Sequence, residues 1–369
     1  MGITGGSKRG WHGETIDRRG FLKAAGLTFT ATLAPRSLMA LERADAVYAS
    51  GFRAPDGSFG IATVSERGEI IDRVALPARA HGLAHSPTTG RTVAFARRPG
   101  TFAMIFDASR RIEPVIITAP EGRHFYGHGH FSPDGSRLYA SENDFDGNRG
   151  MIGIYDATGH FARIGEFEAH GIGTHDMTVS DDGSMLVIAN GGIETHPDFG
   201  RTKLNLDRME PSLVLLDARS GELIQKHTLP PALSQLSTRH LDIADNGRIW
   251  FACQWEGARN ALPPLAGWIS KGEDIALLDL PEETTVRLGN YVGAIAVNRR
   301  ENIVGLTSPI GGATVTLDAR TGAVLREETL REAAGVAPAP HGIAVSTYAG
   351  QFNETVNHVA WDQHITALK

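Results

Sequence analysis

The chain has 369 residues, 41% of them apolar and 21% charged, which is enough to bury a core and excludes a disordered polymer. Its formal charge of −6 offers no basic footprint for nucleic acid, and no apolar run reaches the length of a permanent membrane span. A single cysteine, Cys253, excludes an internal disulfide framework and any multi-cysteine metal site. Aromatic residues make up only 7%, against 43 Gly and 18 Pro, a balance that favours many short strands and turns over long helices.

The N-terminus reads as an address. Asp17-Arg18-Arg19-Gly20-Phe21-Leu22-Lys23 has the form of a twin-arginine export signal. A weakly apolar stretch follows from Ala24 to Ala34, then Pro35-Arg36 and a small-x-small site at Ala44-Asp45-Ala46. That order is the anatomy of a signal peptide, with an apolar segment too short to stay in a bilayer. Cleavage is expected after Ala46, with Ala40 as the alternative. Residues 1–46 would be removed, and 47–369 would form a single periplasmic domain. The removed piece carries seven Lys/Arg and four Asp/Glu, so the mature net charge becomes −9.

Beyond residue 47 the chain repeats itself. A hydrophobic strand ending in Asp-Ala and a Ser/Thr-Gly turn recurs at Phe106-Asp107-Ala108, Tyr155-Asp156-Ala157, Leu216-Asp217-Ala218 and Leu317-Asp318-Ala319. It returns at Leu278-Asp279-Leu280, and weaker copies stand at Ser65-Glu66-Arg67-Gly68 and Trp361-Asp362. Between them lies a second pattern, a short strand, a turn and an alternating strand. Phe131-Ser132-Pro133-Asp134-Gly135 followed by Arg137 to Ser141 is one example. A unit of about 40 to 60 residues holding four strands is a β-propeller blade, which buries its faces only by stacking on its neighbours. The expectation is an all-β propeller of seven blades. Six is the alternative, because the first unit shows three strands and the last looks short. A β-sandwich or a pair of β domains is the competing architecture.

Histidines fall at one place in the repeat. His81, His175 and His240 each stand five residues before the residue that opens the turn after the unit's first strand. In a further unit Gly127 holds that slot, with His128 and His130 beside it, and the next unit has Gly293. Equivalent positions of a propeller converge on one end of the central channel, where several imidazoles could bind iron, copper or zinc. The alternative is structural: each ring caps its blade by bonding neighbouring backbone, a task that Ser, Thr or Asp performs equally well.

A long insertion runs from Asn190 to Pro211 between the second and third strands of one blade, and it carries Glu194, His196, Asp198, Arg201, Lys203 and Asp207. Loops of that length and polarity tend to carry function or to cover a channel mouth. A second insertion, Gln254 to Gly272, holds Trp255, Glu256, Arg259 and Trp268, while Glu142 and Arg239 follow or join strands near the same end. The sequence has no Gly-x-Ser-x-Gly elbow, no phosphate-binding glycine loop, no His-Glu-x-x-His and no haem-attachment motif.

The run from Phe125 to Asp156 resembles an uncharacterised bacterial propeller family catalogued as domain of unknown function 1513. So do Asn190-Gly-Gly-Ile-Glu-Thr-His-Pro-Asp through Lys203-Leu-Asn-Leu-Asp to Pro211, together with Arg239-His240-Leu241, Gln254-Trp255-Glu256-Gly257 and Asn290-Tyr291-Val292-Gly293. The resemblance implies an exported, WD40/YVTN-like seven-bladed propeller. It also implies company with imelysin-like, iron-associated periplasmic proteins. It assigns no catalytic residue.

Three functions follow as expectations. The first is a periplasmic propeller that binds a metal ion, iron before copper, in support of metal uptake. His81, His128, His175 and His240 would be its ligands, with His130, Glu142, Glu194, His196, Arg239 and Trp255 as further binding residues. The second is a metal-free scaffold that docks a partner through its loops. The third is a lactonase-like propeller hydrolase in which Glu142, His175 and His240 activate water.

Overall fold

The computed structural model describes residues 45–108 and 113–368. The twin-arginine motif falls outside the described residues. Among the described residues no helix is long and apolar enough to cross a membrane. The described residues form twenty-eight strands, β1 to β28 in chain order, arranged as seven four-stranded antiparallel sheets. The architecture is a seven-bladed β-propeller, and the six-blade and sandwich alternatives fall away.

The innermost strands of the blades are β4 (Ala80–His85), β8 (Arg123–Phe131), β12 (Thr174–Val179), β16 (Leu236–Ile243), β20 (Ala294–Asn298), β24 (Ala333–Pro338) and β28 (Ala360–Ala367). The two blades that look incomplete in sequence are explained by ring closure. The C-terminal strand β28 pairs with β1 (Tyr48–Arg53), matching Ser50 with Ile365 and Phe52 with Trp361. The first blade therefore takes its inner strand from the far end of the chain. Trp361-Asp362 is thus part of that inner strand and not a third-strand marker. Leu278-Asp279 likewise lies just beyond the outermost strand β19 (Ala276–Leu277), because the preceding insertion displaces the repeat. The last blade is short because β26 (Gln351–Phe352) and β27 (Thr355–Val356) have two residues each.

Turn chemistry sets the strand ends. In Ser132-Pro133-Asp134-Gly135-Ser136 the Asp134 carboxylate accepts from the Ser136 N–H at 3.0 Å and from the Ser132 hydroxyl at 2.5 Å, and Gly135 has φ +70°. Asp182 repeats the arrangement with Ser180 and Ser184. Such turns place one residue in the left-handed region that glycine enters without strain. Between blades, apolar strand faces interlock. At the closure Trp361 is 1% exposed, with its ring 5.1 Å from Phe352 and 6.4 Å from Phe52.

Candidate metal centre in the channel

Six of the seven inner strands break register with the second strand near their starts. In β4 the break spans Ala80 to Leu83, in β8 Phe125 to Gly129, in β12 Thr174 to Asp176, and in β16 Thr238 to His240. Extra residues at such bulges are released from the ladder and their side chains are re-aimed. Here they turn imidazoles onto the channel axis. His81, His128, His175, His240 and His364 come from five blades that adjoin one another around the ring. Neighbouring ring centroids in this cluster lie 4.7 to 5.6 Å apart.

Two glycines make the convergence possible. A Cβ on Gly82 would stand 2.6 Å from His128 Nδ1 and from the Gly127 carbonyl, and one on Gly127 would stand 2.8 Å from the His81 ring. Gly127 also has φ +108°. The repeated Gly-His pattern of β4 and β8 is therefore a packing requirement of stacked rings.

The five rings are not blade caps. Among the described residues none of them has a hydrogen bond to backbone. Other side chains latch the blades. The Asp176 carboxylate accepts from the Leu241 N–H, Asp242 accepts from the Val297 N–H, and the Thr307 hydroxyl donates to the Ala334 carbonyl. By contrast His124 and His130 are each pinned to the next residue's carbonyl through Nδ1, at 2.9 and 2.7 Å.

Ring protonation and tautomer sort the cluster into roles. Burial holds His81, His175 and His364 well below the usual imidazole range, and it brings His128 down to about 4 against the opposing pull of Asp176. These rings are neutral at neutral pH, the state a metal requires. His128, His240 and His364 offer ring nitrogens within 4.8 Å of one another. Nε2 of each is buried and without a hydrogen-bond partner. Asp176 lies behind two of them, 3.3 Å from His128 Nδ1 and 3.6 Å from His240 Nδ1. Its carboxylate is fixed by the Met177 N–H at 2.8 Å and the Leu241 N–H at 3.2 Å. A carboxylate facing Nδ1–H keeps the lone pair on Nε2 and is the common support of a metal-bound histidine; Asp176 is close enough for this at His128, whereas His240 Nδ1 has no hydrogen-bond partner.

His81, His128 and His175 form a second close group. Here His175 Nδ1 lies 3.2 Å from Arg239 Nη1. Guanidinium only donates, so Nδ1 is the acceptor and the proton sits on Nε2. With that contact in place His175 presents a donor to the channel and not a lone pair. The group of His128, His240 and His364 is the better ligand set.

The other predicted site residues lie apart from the cluster, except Arg239, which is buried at 6% exposure and reaches Glu256 as well as His175. Glu142 is fully buried inside its blade, bound by Arg123 at 3.1 Å, Arg163 at 3.0 Å and the Tyr155 hydroxyl at 2.8 Å. Both its oxygens are engaged, which leaves no free base for a water. His130 is on the inner strand beyond the cluster, held to backbone. His196 packs edge-on against Phe145 at 5.1 Å and lies 3.6 Å from both Asp146 and Asp198. Glu194 is 3.5 Å from Arg208, and the Trp255 indole N–H donates to the Ala258 carbonyl.

His364 escapes the sequence pattern because its strand ends the chain, with no following turn from which to count five residues back. Its signal was the polar run Asp362-Gln363-His364 between Trp361 and Ile365, the same break in alternation that marks the other inner strands.

The insertion after β13 (Met185–Asn190) reaches the channel end, since Asn190 pairs with Thr174 at the start of β12. Above His81 and His175 opens a cavity of about 210 Å³, walled in part by Tyr126, Arg239, Gln254 and Gln363.

Comparison with known proteins agrees with the fold and leaves the chemistry open. The family model described as protein of unknown function (DUF1513) matches residues 74–368. No curated protein matches. Among solved structures, hydrazine synthase of Kuenenia stuttgartiensis is similar at 14% identity with a TM-score of 0.60, covering 80% of this chain and 91% of that one. The β-propeller domain of Cps50 (Swd1) from Myceliophteria thermophila is similar at 12% identity with a TM-score of 0.57, covering 81% and 89%. At these identities the likeness is one of fold alone.

Proposed function

This chain belongs to the DUF1513 family, and we propose that it is an exported propeller that holds a transition-metal ion at the channel end, in support of metal handling in the periplasm. The observation that carries this reading is the set of three buried, partnerless Nε2 atoms of His128, His240 and His364, backed by Asp176. A buried polar atom without a partner costs roughly 1–3 kcal/mol, and one cation bound among these three neighbouring rings would account for them together. Imidazole donors suit iron, copper and zinc. Iron is our first assignment, because of the export signal and the iron-associated, imelysin-like proteins that the family resemblance suggests as partners. Three ligands leave open positions, so the ion could bind an exogenous group. The fold is a rigid holder for it: the ligands come from three sequence-distant strands, and none lies on a mobile loop.

The test is metal quantification on the full chain, as purified and after loading with Fe(II), Cu(II) or Zn(II) singly. Wild type is expected to retain one equivalent of the preferred ion. His240→Ala combined with His364→Ala is expected to retain none, and Asp176→Asn to bind about 10- to 100-fold more weakly. Negligible metal in wild type, or equal metal in wild type and the double variant, removes the reading.

A further inference from the structure

The cavity above the histidines has a second property. Its lining includes five cations: Arg97, Arg98, Arg201, Lys203 and Arg239. Arg97 and Arg98 follow β5 (Arg91–Ala96), Arg239 stands at the bulge of β16, and Arg201 and Lys203 come from the long insertion. Three segments distant in sequence therefore send like charges into about 210 Å³. Glu256 is ion-paired with Lys203 and lies 3.5 Å from Arg239. Among the described residues Arg97, Arg98 and Arg201 have no carboxylate within ion-pair distance. Nε of Arg97 and Nε of Arg239 are buried without a partner. Burial and neighbouring guanidinium groups push Arg98 and Arg201 down to about 10, the direction expected where like charges crowd out of water.

Crowding cations in a partly enclosed space is unfavourable unless a counter-charge resides there. Guanidinium forks match the geometry of carboxylate and phosphate groups in particular. We propose that this chamber is a binding site for a small oxyanion carrying two or three negative charges, gripped by the arginines of the blades below and by Arg201 and Lys203 of the insertion above. The cavity is smaller than the usual drug-sized pocket, which favours a compact acid. Tyr126, Gln254 and Gln363 add neutral polar groups to the walls. The insertion thereby acquires a role that Glu194 and His196 do not supply: it contributes cations to the roof of the chamber. The inference stands on charge and cavity and holds whether or not the histidines carry a metal. If they do, an anion in the chamber sits beside the ion's open positions.

The test is calorimetric titration of chelator-treated, metal-free protein with citrate, inorganic phosphate and acetate. Citrate or phosphate is expected to bind, acetate far more weakly, and affinity is expected to fall as sodium chloride is added. A preference between citrate and phosphate identifies the acid group. The variant Arg201→Gln with Lys203→Gln changes two positions of the insertion and leaves the blade strands intact, and it is expected to weaken binding at least about 10-fold, the loss of one charged hydrogen bond or more. The His240→Ala, His364→Ala variant is expected to bind the anion normally, which separates this inference from the metal reading. If neither citrate nor phosphate binds wild type more tightly than acetate, or if the loop variant binds them unchanged, the inference is overturned whatever the metal content.

Discussion

Glu142 offers a decisive test of whether a buried carboxylate near the channel belongs to chemistry or to the fold. It is 0% exposed, and Arg123, Arg163 and the Tyr155 hydroxyl converge on it. Replacing it with Gln keeps the volume and removes the charge. Breaking a buried ion pair by deleting one partner typically costs about 3–5 kcal/mol. Here Arg123 and Arg163 keep Glu166 as a second partner at the rim, and their side chains remain 14% and 26% exposed. Solvent and Glu166 therefore recover part of the loss, and the expectation is a destabilisation of about 3 kcal/mol. Urea unfolding at neutral pH measures it: the midpoint should fall with an unchanged slope, since the surface exposed on unfolding is the same. Metal content and anion binding should stay at wild-type levels. A variant within about 0.5 kcal/mol of wild type, or one of normal stability that loses ligand binding, would refute the assignment of Glu142 as a structural clasp.

Three further outcomes are expected. Trp361→Ala empties the closure between the first and last blades and should cost about 3–5 kcal/mol by the same urea assay; a loss under 1 kcal/mol would mean that the β28–β1 pairing alone holds the ring. Hydrogen bonds from Ser132 and Ser136 hold Asp134 at about 2, below its ordinary value of 3.8, so this turn contributes stability above the ordinary value that is lost as pH falls through the folded value. A carboxyl-carbon NMR titration should place Asp134 near 2 in wild type and closer to 3.8 in Ser132→Ala. Cys253 is fully buried, and burial pushes its thiol pKa up; a maleimide should label it only in denaturant, and rapid labelling of native protein would contradict its place in the core.

What could be read from the sequence was local or periodic. Asp-Gly turns fix strand ends through contacts within five residues, as at Asp134 and Asp182, so the blade pattern is written in short windows. The offset of His81, His175 and His240 from those turns is likewise a local count, and rotational near-symmetry turns equal counts into convergence. Contacts across the ring carried no such signature. His364 joins the cluster because the last strand closes the first blade, a long-range pairing that no nearby turn announces. Glu142 looked like a candidate base in one dimension, and only packing revealed the two arginines and the tyrosine that occupy it. The cationic chamber was the least legible of all. Arg97, Arg98, Arg201 and Arg239 sit in segments with no common motif, and their mutual repulsion exists only once the fold has brought them into one cavity. Charge acts through space and not along the chain, so its consequences are set by the tertiary structure.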